Sequence, residues 1–233
     1  MKIALITMFY NRLENGMVFE CIKGMIDAKK PEVDYHYFIV NNGSTESDAR
    51  LIEYLNSTGI EYTYMRNEVN QGTIQGSMEV IGKIIDLGYT HIAGCDSDDI
   101  WKEEYLIKLW NRMQETGAHM VGSYYEKFGN DSGIIKWEEG VSAMEMFTRG
   151  APPSSGLYTI EYFTKTGGFK PEMKFANDFE LHLHAALIGM KYAMVQEPLY
   201  RYRLHGDQET NGKWGDDNAW KRLAYKVNGI NYE

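Results

Sequence analysis

Three aspartates within four positions are the residues of this sequence best suited to chemistry. Asp96, Asp98 and Asp99 follow an apolar run at residues 90–95 and stand just before Trp101. Three carboxylates so close together repel one another unless a cation lies between them. Their oxygens suit Mg²⁺ or Mn²⁺, ions that also bind substrate phosphates and water. The cluster predicts a divalent-cation site; the alternative is that the aspartates, Asp99 above all, cap a helix starting near Trp101.

The elements before this cluster alternate between apolar strands and amphipathic helices. Strands are predicted at residues 2–10, 34–40, 61–65 and 90–95, and helices at residues 17–30, 48–56, 73–87 and 103–115. Such alternation with short links predicts an α/β fold, in which a mostly parallel sheet is flanked by helices on both faces.

A second polar cluster, Asn41-Asn42-Gly43-Ser44, follows the second predicted strand. In open α/β sheets, ligands bind in the crevice beyond the carboxyl ends of the strands. We therefore expect this cluster and the three aspartates to face the same crevice, although about 50 residues of chain separate them.

The pattern changes after residue 120, where strands and helices no longer alternate regularly. Strands are predicted on both sides of a turn at residues 129–133 and again at 191–196 and 199–205, with helices at 141–149, 178–189 and 219–227 and a loop at 150–156. The second half is therefore expected to be mixed rather than parallel.

Composition excludes several classes of protein. The chain has 233 residues, of which 43% are hydrophobic, enough for a substantial core in a single domain. A net charge of −9 and a pI near 5.2 argue against general binding of nucleic acid or of an anionic membrane. No run approaches the roughly 20 apolar residues of a spanning helix, so no integral membrane segment is expected.

The two cysteines point to a reducing compartment. Cys21 and Cys95 have neither a metal-binding spacing nor the pattern of a disulfide framework, and Cys95 lies in an apolar run where a buried free thiol is expected. We expect a cytoplasmic protein, with peripheral contact at a membrane as an addition.

Five short motifs in chain order resemble the family-two glycosyltransferases with the GT-A fold. The first four are Tyr-Asn-Arg at 10–12, Asn-Asn-Gly-Ser-Thr at 41–45, Asn-Gln-Gly at 70–72 and Asp-Ser-Asp-Asp-x-Trp at 96–101. The fifth is a set of three stretches between 167 and 205: Gly-Gly-Phe, Asn-Asp-x-Glu-Leu and Tyr-Arg-Leu-His. The resemblance covers roughly residues 2–206. It implies a single domain with a nucleotide-sugar-binding half at 1–120, an acceptor and catalytic half at 121–210 and a tail at 211–233.

The resemblance also implies roles for individual residues. Asp98 and His205 would bind the divalent cation, and Asp96 would contact the ribose, or the metal through water. Asp178 would be the general base on the acceptor hydroxyl; because it begins a predicted helix, its alternative role is that of an N-cap or first-turn acid. The residues implied in nucleotide-sugar binding are Phe9, Asn11, Asn42, Gln71, Asp96, Ser97 and Arg203.

The sequence departs from the family pattern at three places. Asn41 and Asn42 stand where the family usually has two aspartates, the second of which commonly holds the nucleotide base. Met8-Phe9 replaces a usual Pro-Thr, and Asn177 replaces a glutamate beside Asp178. An amide can still donate and accept at a base edge, but it supplies no charge, so the base is left open.

The resemblance implies an inverting, metal-dependent transferase. It would move a sugar from a nucleotide-diphosphate donor, with UDP favoured, to a hydroxyl of a glycan, a lipid-linked oligosaccharide or a protein, with Mn²⁺ or Mg²⁺ as cofactor. Two alternatives stay open: a nucleotidyltransferase acting on sugar phosphates, whose basic glycine-rich loop the sequence lacks near residue 12, and a non-catalytic binding domain for nucleotides or sugars.

Overall fold

A computed structural model describes residues 1–208 and 217–232. Within these residues nine strands form one sheet. The strands are β1 (Lys2–Phe9), β2 (Asp34–Asn41), β3 (Tyr62–Arg66), β4 (His91–Gly94), β5 (Ile100–Trp101), β6 (Met120–Gly129), β7 (Gly133–Ile135), β8 (Gly156–Thr159) and β9 (Tyr192–Leu204). The helices are α1 (Met17–Asp27), α2 (Ala49–Thr58), α3 (Gly72–Asp86), α4 (Tyr105–Thr116), α5 (Met146–Arg149), α6 (Ile160–Thr166), α7 (Asn177–Leu187) and α8 (Asp217–Val227).

The first half is the predicted parallel sheet. Strands β3, β2, β1 and β4 lie side by side in that order, and each pairs in parallel with its neighbour. Strand β1 and the second half of β2 are buried and mostly apolar, as expected for parallel strands covered by helices on both faces. Parallel pairing brings the carboxyl ends of β1, β2 and β4 to one edge of the sheet, as the sequence predicts.

The second half is mixed, also as predicted. Strand β8 is antiparallel to both β4 and β6, and it joins the two halves into one sheet. Strand β9 runs parallel to β6, and the short strand β5 pairs antiparallel with the end of β9. Strands β6 and β7 form the expected hairpin.

Four elements differ from the sequence expectation. Strands β5 and β8 and helix α6 occupy stretches for which no strand or helix is predicted. The two strands expected at 191–196 and 199–205 are the single strand β9. Its pairing with β6 shifts register twice, between Val195 and Pro198 and again between Pro198 and Tyr200, where proline has no N–H for the ladder and the intervening residues bulge out. The pairing is regular from Tyr200 onward, so the strand continues.

Helices cover both faces of the sheet. On one face α1, α2 and α4 pack against the strands around Ile22, Leu55 and Leu109. On the other face α3, α6 and α7 pack around Ile84 and Tyr162. The fold is the expected α/β arrangement, with helices on both faces of the sheet.

The helix predicted in the C-terminal tail is present as α8, and it packs on the domain. Ala224 and Tyr225 are buried against Phe179 of α7 in a third apolar cluster. Asn228, just after α8, donates a hydrogen bond of 2.9 Å to the Glu180 carboxylate. Among the described residues, no helix combines the length and apolar character needed to cross a membrane.

Candidate functional site

The candidate site lies at the carboxyl edge of the parallel strands, where two loops face one crevice. The acid loop, residues 96–99, connects β4 to β5. The amide turn, residues 41–44, follows β2. Strand β5, directly after the acid loop, pairs with β9, so residues from the last part of the chain lie beside the loop.

Asp98 and His205 are brought together although 107 positions separate them. The Asp98 Oδ2 atom lies 3.0 Å from His205 Nε2. The two side chains retain 21% and 12% of their exposure, so both are mostly enclosed while still reachable from the crevice. This pair is the one that the family resemblance implies for metal binding.

The geometry of this pair fits a bound cation. Two adjacent ligands of an octahedral ion at about 2.1 Å from the metal lie about 3.0 Å apart. No cluster of three or more His, Cys, Asp or Glu side chains suited to a metal occurs in the described part of the chain. A cation here would take two protein ligands and complete its coordination with phosphate oxygens and water, as Mg²⁺ and Mn²⁺ commonly do. An imidazole ligand favours Mn²⁺ of the two.

Asp96 is exposed to solvent at the crevice, although protein packs closely around it. Ser155 Oγ and Tyr200 Oη each approach its Oδ2 atom at 3.5 Å. Loss of hydration raises the pKa of Asp96 to about 6, and the charges of Asp98 and Asp178 add to the effect. The crevice therefore concentrates negative charge that a divalent cation would neutralise.

Asp99, unlike its two neighbours, is buried and bonded to β9. Its side chain is 1% exposed, and its Oδ1 atom accepts a hydrogen bond of 2.7 Å from the Arg203 backbone N–H. Helix α4 begins only at Tyr105, because Ile100 and Trp101 pair with β9 instead. The helix-cap alternative for Asp99 is therefore wrong, since this carboxylate pins β9 to the acid loop. Burial raises its pKa to about 9, with Asp96 and Asp98 contributing.

Arg203 reinforces the same junction. Its Nε atom donates to the Asp98 carbonyl oxygen at 2.6 Å, and its Nη2 atom pairs with Glu20 at 2.5 Å. The guanidinium also stacks over Phe128, 4.4 Å from the ring centre. Arg203 thus lies beside the acid loop, and its contacts hold the backbone of that loop.

Gln208 is a site residue that the sequence does not reveal. Its side chain is 5% exposed and closes the turn after β9. The Oε1 atom accepts from the His205 backbone N–H at 3.1 Å, and the Nε2 atom donates to the Arg203 carbonyl oxygen at 2.5 Å. This amide holds the turn that presents His205 to Asp98. A glutamine three residues after a histidine carries no sequence signal of such a role.

Asp178 lies in the first turn of α7, and Ala176, in the left-handed conformation with φ 52°, occupies the N-cap position. Asp178 is therefore a first-turn acid rather than an N-cap, and its Oδ1 atom accepts from the Phe179 N–H at 2.8 Å. The carboxylate is half-buried, and it is near enough to raise the pKa of Asp96. The helix thus carries a carboxylate into the crevice opposite the acid loop.

A cavity of about 400 Å³ lies beside Asp178. It is lined by residues 71–75 at the start of α3 and by Pro171 and residues 174–177 ahead of α7. Gln71 is exposed at this cavity, and Ser97 is half-buried between the two aspartates of the acid loop. The cavity therefore offers space for a ligand between the start of α3 and the segment ahead of α7.

Near the amide turn, the residues implied in nucleotide binding mostly form hydrogen bonds within the protein itself. Phe9 is 2% exposed and its carbonyl oxygen accepts from the Asn42 N–H at 2.8 Å. Asn11 adopts a left-handed conformation, and its side-chain oxygen accepts from the Thr45 N–H at 2.9 Å. Asn41 accepts from the Ser44 N–H at 2.8 Å. These side chains build the turn that closes this end of the crevice.

His182 lies in α7 but not in the candidate metal site. It is 1% exposed and forms a hydrogen bond of 2.7 Å with the Tyr162 hydroxyl. Burial lowers its pKa to about 4, so the imidazole is neutral at pH 7.

Comparison with known proteins agrees with this picture. The sequence model of glycosyl transferase family 2 matches residues 4–174, which is more than half of the chain. No curated protein matches the sequence.

Solved structures of S. aureus TarS are similar in fold. A UDP-GlcNAc complex of TarS 1-349 has a TM-score of 0.79 at 15% identity, over 100% of this chain and 68% of that one. A UDP complex of TarS 1-349 has a TM-score of 0.72 at 16% identity, over 88% of this chain and 61% of that one. Full TarS has a TM-score of 0.71 at 16% identity, and this chain covers 37% of it. This chain thus spans about three fifths of the TarS 1-349 structure solved with UDP.

Proposed function

Because the chain belongs to glycosyl transferase family 2, we propose that it transfers a sugar from a UDP-linked donor to a hydroxyl acceptor, with inversion and with a divalent cation. The fold is that of a GT-A glycosyltransferase. The observation that carries the metal-dependent part of the proposal is the 3.0 Å approach of Asp98 Oδ2 to His205 Nε2 at the carboxyl edge of the sheet.

In this proposal Asp98 and His205 hold Mn²⁺, or less favourably Mg²⁺. The bound cation would stabilise the negative charge that grows on the diphosphate as the glycosidic bond breaks. Asp96 lies beside this pair and is proposed to contact the ribose, or the cation through water. Asp99, Arg203 and Gln208 keep the two ligands in place through the backbone contacts described above.

Asp178 is the proposed general base. An in-line displacement needs a base on the face of the sugar opposite the leaving diphosphate. Asp178 comes from the first turn of α7, near enough to Asp96 of the acid loop to raise its pKa, and next to the cavity lined by residues 71–75 and 174–177. Its carboxylate would take the proton of the attacking hydroxyl as the oxygen bonds to the anomeric carbon.

UDP is the proposed leaving group, and a cytoplasmic reaction is part of the proposal. TarS binds UDP and UDP-GlcNAc within a similar fold, which supports a uridine donor here. Both cysteines are buried free thiols, which fits a reducing compartment. The acceptor would be a hydroxyl of a growing glycan, a lipid-linked oligosaccharide or a protein, and a peripheral contact with a membrane would bring such an acceptor within reach.

A donor hydrolysis assay tests the proposal. The protein is incubated with Mn²⁺ and a panel of UDP-, GDP- and dTDP-sugars, and release of the nucleoside diphosphate is measured. We expect slow release from at least one UDP-sugar, and an inverted anomeric configuration in the product by NMR. Binding of a nucleotide-sugar without any release would instead indicate a binding domain. Release of pyrophosphate from a nucleoside triphosphate would indicate a nucleotidyltransferase.

A further inference from the structure

The side-chain amide of Asn42 is fully occupied by one neighbouring segment, residues 67–72. Its Oδ1 atom accepts from Asn67 Nδ2 at 2.9 Å and from the Gln71 N–H at 3.3 Å. Its Nδ2 atom donates to Asn70 Oδ1 at 3.2 Å and to the Gly72 carbonyl oxygen at 3.1 Å. A primary amide has two donor hydrogens and two acceptor lone pairs, so these four bonds use all of its capacity.

The orientation of this amide is determined by backbone groups. The Gln71 N–H can only donate, and the Gly72 carbonyl oxygen can only accept. Reversing the amide would place two donors together at Gln71 and two acceptors together at Gly72. These two backbone groups therefore determine which atom of the Asn42 amide is the nitrogen and which is the oxygen.

The segment also packs tightly around the amide. A Cβ atom on Gly43 would lie 2.2 Å from the Val69 carbonyl carbon, so the turn and the segment touch backbone to backbone. A Cβ atom on Gly76 would lie 3.1 Å from Asn42 Nδ2. Asn42 itself is 3% exposed. A nucleotide base would have to displace residues 67–72 to reach this amide.

We propose that Asn42 is a positioning residue that fixes residues 67–72, and that it does not read the nucleotide base. This inference rests on the proposed function. The end of the segment, Gln71 and Gly72, lines the cavity beside α7, so its placement sets one wall of the donor site. Base recognition then falls to other groups of the crevice.

The chemistry of the neighbours requires an amide at this position. An aspartate has no N–H to donate, so it would present an oxygen to Asn70 Oδ1 and to the Gly72 carbonyl oxygen. Two hydrogen bonds would become two repulsive contacts around a buried charge. Asn42→Asp is therefore the informative variant, because it removes only the donors and keeps the shape.

The test compares nucleotide binding by wild type and Asn42→Asp. UDP, CDP, GDP and ADP are titrated calorimetrically with Mn²⁺ present. We expect every affinity to fall by the same factor, about 10-fold or more, with the stoichiometry and the order of the four nucleotides unchanged. A gain or loss confined to one base would show that residue 42 reads the base. Unchanged affinities would show that it does not control the segment.

Two further variants keep the test decisive if Asn42→Asp does not fold. Asn67→Ala leaves Asn42 intact but removes one of its anchors, and it should weaken all four nucleotides uniformly by about threefold. Glu68→Gln, at an exposed position in the same segment, is the matched control and should change nothing. A lower stoichiometry with unchanged affinity would mean loss of folded protein rather than misplacement of the segment, and would contradict the proposal.

Hydrogen exchange separates this inference from the proposed function. The Gln71 N–H is bonded to Asn42, so its exchange without nucleotide should quicken in Asn42→Asp while amides in β1 keep their protection. That result would uphold the positioning role even if the wild type bound no nucleotide. Unaltered exchange at Gln71 would overturn it whatever the nucleotides do.

Discussion

The acid loop and the amide turn follow neighbouring parts of the same sheet, but their polar groups are satisfied in different ways. In the acid loop, Asp98 contacts His205 Nε2 at 3.0 Å, and the hydroxyls of Ser155 and Tyr200 approach Asp96 at 3.5 Å. In the amide turn, Asn41 and Asn42 make hydrogen bonds to their own chain. Closely spaced carboxylates favour the binding of a cation, whereas amides that are hydrogen-bonded within the chain stabilise the turn itself.

This contrast divides the crevice into two ends with different roles. The end formed by the acid loop, α7 and the turn after β9 carries the charged groups proposed for metal binding and proton transfer. The end formed by the amide turn and residues 67–72 is preformed by internal hydrogen bonds. Substitutions at the two ends should therefore differ in kind, and the following predictions are designed to break or sharpen that difference.

Asp178→Asn should have the largest effect on turnover. The amide keeps the size of the side chain but cannot accept the acceptor proton, so sugar transfer should fall by about 10²–10⁴-fold. Binding of UDP with Mn²⁺, measured by calorimetry, should stay within about twofold because the metal ligands are untouched. Full activity in this variant would remove Asp178 from the base role.

Asp98→Ala should affect donor binding most strongly. Loss of one of two protein ligands should weaken Mn²⁺-dependent UDP binding by about 100-fold or more in calorimetric titration. Asp131→Asn, in the exposed turn between β6 and β7, is a control for the change of charge and should bind as wild type does. Equal UDP binding by Asp98→Ala and wild type would refute the assigned ligand.

Gln208→Ala should have an intermediate effect through His205. Removing the amide frees the turn between Arg203 and His205, and affinity for Mn²⁺ in the presence of UDP should fall by about 10-fold. Electron paramagnetic resonance of bound Mn²⁺ measures this directly. Gln114→Ala, exposed on α4, should leave the affinity unchanged. If Gln208→Ala also leaves it unchanged, the turn does not depend on this amide.

His182 is a titratable group that, unlike the acids of the crevice, is buried in α7 and hydrogen-bonded to Tyr162. The folded-state pKa near 4 lies below the ordinary value of 6.5, so the unfolded chain binds the proton first as pH falls. The stability that comes from keeping His182 neutral is fully present above pH 6.5 and is lost as the pH falls towards 4. Between pH 7 and pH 5 this loss amounts to about 2 kcal/mol of unfolding free energy. Urea unfolding of His182→Gln should show a correspondingly smaller loss over this interval. The same pH slope in both proteins would contradict the assignment.

The first half of the fold was predictable because local signals agree with the tertiary arrangement. Apolar runs mark β1, β2 and β4, amphipathic periodicity marks α1, α3 and α4, and parallel pairing then places the strand ends together. The convergence of the acid loop and the amide turn follows from those assignments alone. The pairing of Asp98 with His205 needed the family resemblance, because 107 residues separate them.

The rest depended on contacts that no local pattern encodes. Strand β8 is short and is stabilised by pairing with β4 and β6 on either side, and Trp101 joins β5 rather than a helix because β9 lies beside it. The occupation of the Asn42 amide depends on Asn67 and Asn70, which reach it only after the chain folds. A role inferred from position in a motif is therefore weaker here than one inferred from what the side chain contacts.

Calorimetric titration of UDP into the wild-type protein, first with Mn²⁺ and then with EDTA, tests the central claim most directly. The claim is that Asp98 and His205 hold a cation that in turn binds the diphosphate. The account predicts clear binding with Mn²⁺ and its abolition by EDTA. Equal binding of UDP in both conditions, or no binding in either, would contradict it.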